Sequence, residues 1–468
     1  MKVYNTLTRQ LEEFEPLHGN RVNMFVCGVT PYDHSHLGHA KTYIAFDMIA
    51  KYLRYKGYTV FYLQNVTDVD DHLIDRSAET GISESDLAQK FFKLFIDDMN
   101  ALSVDSVNLY GYATEHIPEI LDQVKGLVDR GFAYESNGNV YFEVGKFSEF
   151  GKLSRQDLEM LQPGARVEVD ENKRNPEDFA LWKAQKPGEP AWDSPWGKGR
   201  PGWHIEDTAI AMAYFGDQYD IHGGATELMF PHHESEIAQA EALTGKEPFV
   251  KYWIHTGILN VKGEKMSKSL KNFWMVKEAL EEYDADVIRF FMVNSHYRSP
   301  VDFSNELLDE AKQSYERLVE TVQNVEFALR RQAKDERTPA DDEMDAAVEE
   351  VMKGFEEAMD DDFNSREAIS HLFTFSTKVN SALSKGLTKE TLEKVLNVYQ
   401  TTGGVLGLFG KDIVKEDVVD GLMDFLVEMR EKARKEKDFE VSDEIRDRLA
   451  RVGILLEDTK DGPRWKRH

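Results

Sequence analysis

Two histidines stand three residues apart in the run His36-Leu37-Gly38-His39, a spacing that puts both imidazoles on one helix face. The run follows an apolar stretch, Met24-Phe25-Val26-Cys27, and a turn-rich bridge, Gly28-Val29-Thr30-Pro31-Tyr32-Asp33, and it leads into the helical pattern Thr42-Tyr43-Ile44-Ala45-Phe46. A strand, a glycine-bearing loop and a helix start hold anionic phosphate well, because N–H groups and the positive end of the helix dipole converge there. Gly38, without a Cβ, lets a flat base approach the backbone. Far along the chain, Lys265-Met266-Ser267-Lys268-Ser269 carries two cations. Such a run alone reads as a solvated loop. A third group is metal-like. His232 and Glu236 share a helix face at i and i+4, Cys27 ends the first apolar run, and Asp207 opens a helix after a proline-rich stretch. Together Cys27, Asp207, His232 and Glu236 make an N/O/S set suited to tetrahedral zinc. A lone cysteine is also an ordinary small core residue, and acids at helix starts match the dipole, so spacing alone leaves both readings open.

These groups need a sheet to bring them together. Residues 21–27 predict a buried strand, 38–56 a helix and 58–66 a second strand. That is a βαβ unit, hence a parallel sheet with ligands at the carboxyl ends of its strands. The run Thr67-Asp68-Val69-Asp70-Asp71-His72 falls at one such end. It reads either as a helix N-cap or as a wall of the substrate pocket. Residues 83–102 and 115–130 read as amphipathic helices, and Ser136-Asn137-Gly138 as the turn of a hairpin. Residues 145–202, rich in proline and glycine, predict an irregular insert with long connections. The sheet resumes at Asp220-Ile221-His222-Gly223-Gly224. From about residue 284 the chain reads as a helical bundle, ending in two more helices over 425–451 and a small mixed unit around Trp465.

Length and composition bound the rest. A chain of 468 residues suggests two to four domains with ample core. Hydrophobic content of 41% and charged content of 30% are ordinary for a soluble globular protein. A formal net charge of -28 argues against broad nucleic-acid binding but permits a local basic path. With one cysteine there is no intramolecular disulfide. No apolar run is long enough to span a bilayer and no secretory h-region opens the chain, so no membrane partner and a cytoplasmic location are expected.

The pairing of HLGH with KMSKS, in that order, resembles the signatures of class I aminoacyl-tRNA synthetases. The stretches GVTPYDHSHLGHAKTYIAFD, NVTDVDD, WGKGRPGWHIE, DIHGG, FPHHESEIAQ, KMSKSLKNF and LLEDTKDGPRWKR narrow the resemblance to cysteinyl-tRNA synthetases, over nearly the whole chain. That resemblance implies an α/β protein: a Rossmann-type parallel-sheet catalytic domain split by an insert, then an α-helical bundle and a small C-terminal mixed α/β anticodon-binding domain. The implied segments are 1–120 and 201–250 for the catalytic halves, 121–200 for the insert and 251–305 for a stem-contact region with the KMSKS loop. The bundle then covers 306–405 and the anticodon domain 406–468.

The resemblance also implies the chemistry: activation of L-cysteine by ATP to cysteinyl-adenylate, then transfer to tRNA(Cys), by a monomer using one zinc ion and magnesium with ATP. His36 and His39 would contact phosphate, with Lys265 and Lys268 clamping pyrophosphate as catalytic partners. Gly38, His222, Gly223, Gly224 and Glu227 would line the ATP side, with Glu227 standing where the family usually has aspartate. Gly28, Thr67 and Trp203 would line the cysteine pocket. The family's zinc ligands are two cysteines, a histidine and a glutamate. Cys27, His232 and Glu236 match three, and the fourth, normally the cysteine of WHIEC, is Asp207 here. Aspartate keeps a thiolate's charge but is a harder ligand, so zinc is expected to be retained with Asp207 as a direct ligand. An alternative acceptor is a small amino sugar, as in cysteine ligases built on the same adenylation fold. Those lack the C-terminal module, whereas this chain has the LLEDTKDGPRWKR ending.

Overall fold

The computed structural model describes residues 1–156, 170–261, 264–265, 274–410, 418–459 and 462–467. It divides into two compact units. The first comprises Met1–Lys312, Glu356–Ile369 and Val405–Gly407; the second comprises Gln313–Phe355, Ser370–Gly404 and Leu408–His468.

The first unit opens with a small hairpin, β1 (Lys2–Asn5) and β2 (Gln10–Glu13). There follow β3 (Arg21–Val29), α1 (Leu37–Tyr55), β4 (Thr59–Val66), α2 (Asp71–Thr80), α3 (Glu84–Ala101), β5 (Leu109–Tyr112) and α4 (Ile117–Asp129). Then come β6 (Ala133–Ser136), β7 (Asn139–Phe142), β8 (Phe179–Ala184) and β9 (Gly199–Pro201), which form a four-stranded antiparallel sheet. The main fold resumes with α5 (Trp203–Phe215), β10 (Tyr219–Ala225), α6 (His232–Thr244) and β11 (Val250–Thr256). After these lie β12 (Leu259–Val261), β13 (Glu264–Lys265), α7 (Val276–Glu282), α8 (Ala285–Val293) and β14 (Val301–Phe303).

The central sheet runs β11-β10-β3-β4-β5 with every neighbouring pair parallel, as the βαβ pattern predicts. Parallel strands of this kind are covered on both faces, which is why Met24, Phe25 and Val26 are fully buried in succession. Strand β3 sits in the middle. Its ladder with β4 is regular through Val26, shifts register, and resumes at Val29 opposite Val66. Such a bulge re-aims side chains at the end of a strand, here that of Cys27. The insert is more ordered than its prolines suggest: β8 and β9 extend the predicted hairpin, around a core that includes Phe142, Leu181 and Trp182.

A buried ion pair braces α1. Asp47 accepts from the backbone N–H groups of Asp105 and Ser106, each at 3.1 Å, and from Lys51 and Arg289. Arg289 also donates to the carbonyls of Leu406, Leu102 and Ser103, so each of its three nitrogens makes at least one hydrogen bond.

The second unit is mostly helical. It takes most of α9 (Asn305–Arg331), α10 (Pro339–Asp360), α11 (Ser365–Leu383) and α12 (Lys389–Leu406), followed by α13 (Val418–Lys435) and α14 (Phe439–Arg451). It ends in an antiparallel hairpin of β15 (Ile454–Thr459) and β16 (Gly462–Arg467), tied to α13 by a two-pronged Arg430–Asp458 pair at 2.7 and 3.0 Å. No described helix is long and apolar enough to cross a membrane.

Candidate active site and metal centre

The carboxyl ends of β3, β4 and β10 and the starts of α5 and α6 converge on Cys27. Its Sγ lies 3.1 Å from Asp207 Oδ2 and 3.9 Å from Glu236 Oε1. His232 Nε2 lies 3.1 Å from the same Asp207 oxygen and 3.0 Å from Glu236 Oε1. All four side chains are buried, and their ligand atoms lie within 4.8 Å of one another. The structure thus brings together the four residues that the sequence marks as a metal set.

The electrostatics are those of a site short of positive charge. Burial pushes the Cys27 thiol well up, and the Asp207 and Glu236 carboxylates push it further. Burial lifts Glu236 up to about 7 against the pull of His232. His232 loses hydration too, yet Glu236 and Asp207 hold its proton, up to about 10. Glu206 is pushed well up by burial and by neighbouring Asp207. Buried Glu236 Oε2 makes no hydrogen bond, and neither does Glu206 Oε2. Buried oxygens are seldom left unmatched. One thiol, one imidazole and two carboxylates around a common point, with one oxygen unmatched, fit a divalent cation of the zinc type.

Other residues around the cluster were not legible as such. His222 Nε2 lies 3.5 Å from Cys27 Sγ and 3.4 Å from Glu236 Oε2, and His233 Nε2 lies 3.1 Å from Cys27 Sγ. Each has its other ring nitrogen occupied, His222 by Tyr219 Oη at 2.6 Å and His233 by His255 at 2.8 Å. Burial presses both imidazoles well below their ordinary range, so both are neutral. Nothing along the chain places these imidazoles beside Cys27, because β10, α6 and β11 come together only in the fold.

In front of the metal cluster lies a cavity of about 300 Å³. Cys27, Gly28, Gly38, His36, His39 and Glu227 line it. His36 caps α1 and the two histidines cap each other: each Nδ1 accepts the other's backbone N–H at 3.3 Å, with the rings stacked 3.7 Å apart. With Nδ1 accepting, the ring proton of each sits on Nε2, so the pair is arranged as N–H donors above a helix N-terminus.

Of the other expected site residues, Thr67 hydrogen-bonds to Glu206, and Trp203, 40% exposed, stacks on His232 at 4.2 Å. Gly223 and Gly224 pack behind the site: a Cβ on Gly223 would meet Phe46 at 2.3 Å, and one on Gly224 would meet His233 at 2.8 Å. They and His222 are not among the residues lining the cavity. Lys268 lies outside the described residues, and of Lys265 only the backbone in β13 is described, paired with Asn260. Met275 bridges to His36, and Leu37 N bonds Trp274 O at 3.0 Å. The chain therefore comes back to the histidine pair directly after the lysine run. Lys41 ties α1 to the same region, donating to the carbonyls of Gly257 and Tyr297 at 2.8 and 3.1 Å.

The acid run after β4 is structural. Asp70 caps α2, Asp68 accepts from Thr114, and Asp71 is paired with Lys183 and Arg200, which hold it down to about 2 despite partial burial. The reading of the acid cluster as a pocket wall is corrected, since Asp68, Asp70 and Asp71 do not line the cavity.

Three family models match in order: the class I (C) tRNA synthetase catalytic domain over residues 13–313, the DALR domain over 354–410, and the cysteinyl-tRNA ligase anticodon-binding domain over 423–465. Cysteine–tRNA ligases of Thermococcus gammatolerans and Carboxydothermus hydrogenoformans are 50% and 48% identical, across 100% of this chain and 99% and 100% of theirs. Among solved structures, Mycobacterium tuberculosis methionyl-tRNA synthetase superposes with a TM-score of 0.61 at 15% identity, covering 82% of this chain and 89% of its own. An Agrobacterium radiobacter LeuRS superposes at 0.62 and 10% identity, covering 86% of each chain. At such identities these two speak for the fold, whereas the full-length relatives and the catalytic-domain match speak for the family. The chain belongs to the cysteinyl-tRNA synthetase family of class I aminoacyl-tRNA synthetases.

Proposed function

We propose that this chain activates L-cysteine with ATP and transfers it to tRNA(Cys), using a divalent ion held by Cys27, Asp207, His232 and Glu236 to recognise the substrate sulfur. The observation that carries the reading is this cation-shaped cluster at the floor of a cavity whose other wall is the His36–His39 pair. Zinc in that position supplies a soft Lewis acid that takes a thiolate in preference to a hydroxyl, a distinction that pocket shape alone makes poorly.

The remaining roles belong to the chain's own groups. The attacking carboxylate and the ATP α-phosphate need alignment and charge stabilisation rather than covalent help. His36 and His39 present Nε2–H donors to the phosphates beside the α1 N-terminus. Lys265 and Lys268 clamp the departing pyrophosphate, and magnesium accompanies ATP. Gly28, whose added Cβ would strike Asn65 O at 1.8 Å, lets β3 close up against β4 at the edge of the cavity, and Thr67 and Trp203 stand on the cysteine side. Gly38 and Glu227 face the nucleotide side, with His222, Gly223 and Gly224 supporting from behind. The enzyme works in the cytoplasm as a monomer, with residues 406–468 reading the anticodon. The match of an anticodon-binding domain to residues 423–465 favours tRNA over a small amino-sugar acceptor.

The test is ATP–pyrophosphate exchange with each of the twenty amino acids in excess magnesium, with and without a chelator selective for zinc over magnesium, followed by tRNA(Cys) charging. Exchange with cysteine alone, lost on chelation, is expected. Exchange that survives complete zinc removal overturns the role of zinc, and no exchange with any amino acid overturns the enzyme reading.

A further inference from the structure

The oxygen of Asp207 that faces the cluster is only half of its carboxylate. The other, Oδ1, is held at 2.6 Å by Asn65 Nδ2 from the end of β4. The orientation of that amide is settled by its opposite end: Asn65 Oδ1 accepts the backbone N–H of Gly28, which must face an oxygen. The nitrogen therefore has to face Asp207. Asn65 Nδ2 also reaches Thr67 Oγ1 at 3.3 Å, and the residue is buried. The bond to Gly28 sits where the β3–β4 ladder shifts register. A side-chain acceptor thus stands in for a backbone one at the residue after Cys27.

A thiolate offers a metal one atom. A carboxylate offers two and can bind through either or both. This chain's Asp207 shows the cluster a single oxygen, Oδ2, 3.1 Å from both Cys27 Sγ and His232 Nε2. We propose that Asn65 is the positioning residue that makes Asp207 a one-atom ligand. It ties up Oδ1, fixes the carboxylate plane, and so preserves the four-atom geometry that a second cysteine gives. This rests on the reading of Asp207 as a metal ligand. Hydrogen bonds to the far atoms of metal ligands have sizeable effects, about 10- to 100-fold in affinity.

The experiment is a double-mutant cycle on the full chain, read by competition of zinc against a chromophoric chelator and by the visible absorption of the cobalt-substituted protein. In the native background Asn65→Leu is expected to lower zinc affinity about 10- to 100-fold and to weaken the intense four-coordinate cobalt bands as the carboxylate turns to bind through both oxygens. In an Asp207→Cys background the same change should alter affinity by no more than about twofold, because a thiolate has no second oxygen to restrain. Equal losses in both backgrounds would mean that Asn65 acts through Gly28 or the strand ends, and no loss in the native background would mean that it does not act on the metal at all. Either result overturns the proposal. If Asp207→Ala binds zinc as tightly as the native chain, the ligand reading itself fails, separately from any effect of Asn65. Should Asn65→Leu not fold, Asn65→Asp enters the same cycle. It keeps an oxygen for the Gly28 N–H but offers Asp207 no amide donor.

Discussion

Two buried clusters of charge lie in the first unit, and they are built on opposite plans. Around Asp47, a carboxylate with 0% side-chain exposure meets Arg289 and Lys51 and two backbone donors, and Nε and Nη1 of Arg289 donate to three backbone carbonyls. Despite burial, Arg289 and Lys51 hold that carboxyl below its ordinary range. Around Cys27, burial and the neighbouring carboxylates push the thiol and Glu236 up, and one oxygen of Glu236 goes unmatched. A closed cluster is part of the scaffold. An open one, short of a cation and facing a cavity, marks the place where something else must bind.

The sharpest way to break this contrast is to remove one member from each side. Arg289→Met strands a buried carboxylate and should cost about 3–5 kcal/mol, read as a lower urea midpoint for the catalytic unit with zinc affinity unchanged. A shift well under 1 kcal/mol would deny that the pair is structural. Zinc at about a hundred times its Kd should in turn stabilise the native chain by about 2.7 kcal/mol, an effect that Cys27→Ala should abolish. Stabilisation that persists in that variant would place the ion elsewhere.

The two clusters should also respond to pH with opposite signs. Asp47's carboxyl is depressed in the folded state, so its contribution is present above the ordinary carboxylate range and lost only as acid titrates the folded form. Glu236, raised to about 7 without metal, binds its proton more tightly folded than unfolded. Its contribution is therefore full at low pH and lost as pH climbs from the unfolded value through 7. Metal needs the bare carboxylate, so the rise in midpoint on adding zinc should be larger at pH 8 than at pH 6. In the metal-free protein at pH 8, Glu236→Gln should raise the midpoint; with zinc saturating it should lower it. The same sign in both states would remove the distinction between open and closed clusters. The smallest effect is expected at the histidine pair. His36→Ala should cost about 1 kcal/mol of stability through the lost cap, while exchange activity falls far more. A large stability loss would make the pair scaffold.

Much of this site was legible before the fold was known, for a physical reason. Ligands must keep their donor atoms, and motif residues at a helix start must keep their spacing, so Cys27, Asp207, His232, Glu236, His36 and His39 could be picked out along the chain. Asn65 could not. It carries no charge and binds no substrate, and its meaning depends on Asp207, 142 positions away on helix α5. His222 was legible as a site residue through its DIHGG setting, but not as a neighbour of Cys27, because periodicity does not say which strand lies beside β3. The acid run after β4 misled in the other direction. The partners that make Asp71 structural, Lys183 and Arg200, sit inside the insert, where proline and glycine hid the strands β8 and β9.

Strand β3 has neighbours on both sides, β10 and β4, and it delivers Cys27. Amides in the middle strand of a covered sheet exchange with solvent only when the largest cooperative unit opens. The cluster's sulfur is thus fixed to the part of the molecule that opens last, while Asp207, His232 and Glu236 arrive on helices that can loosen sooner. A bound ion would be released in stages, with the sulfur letting go at the end. Deuterium uptake at Val26 and Cys27 should therefore lag behind that at the first turns of α5 and α6.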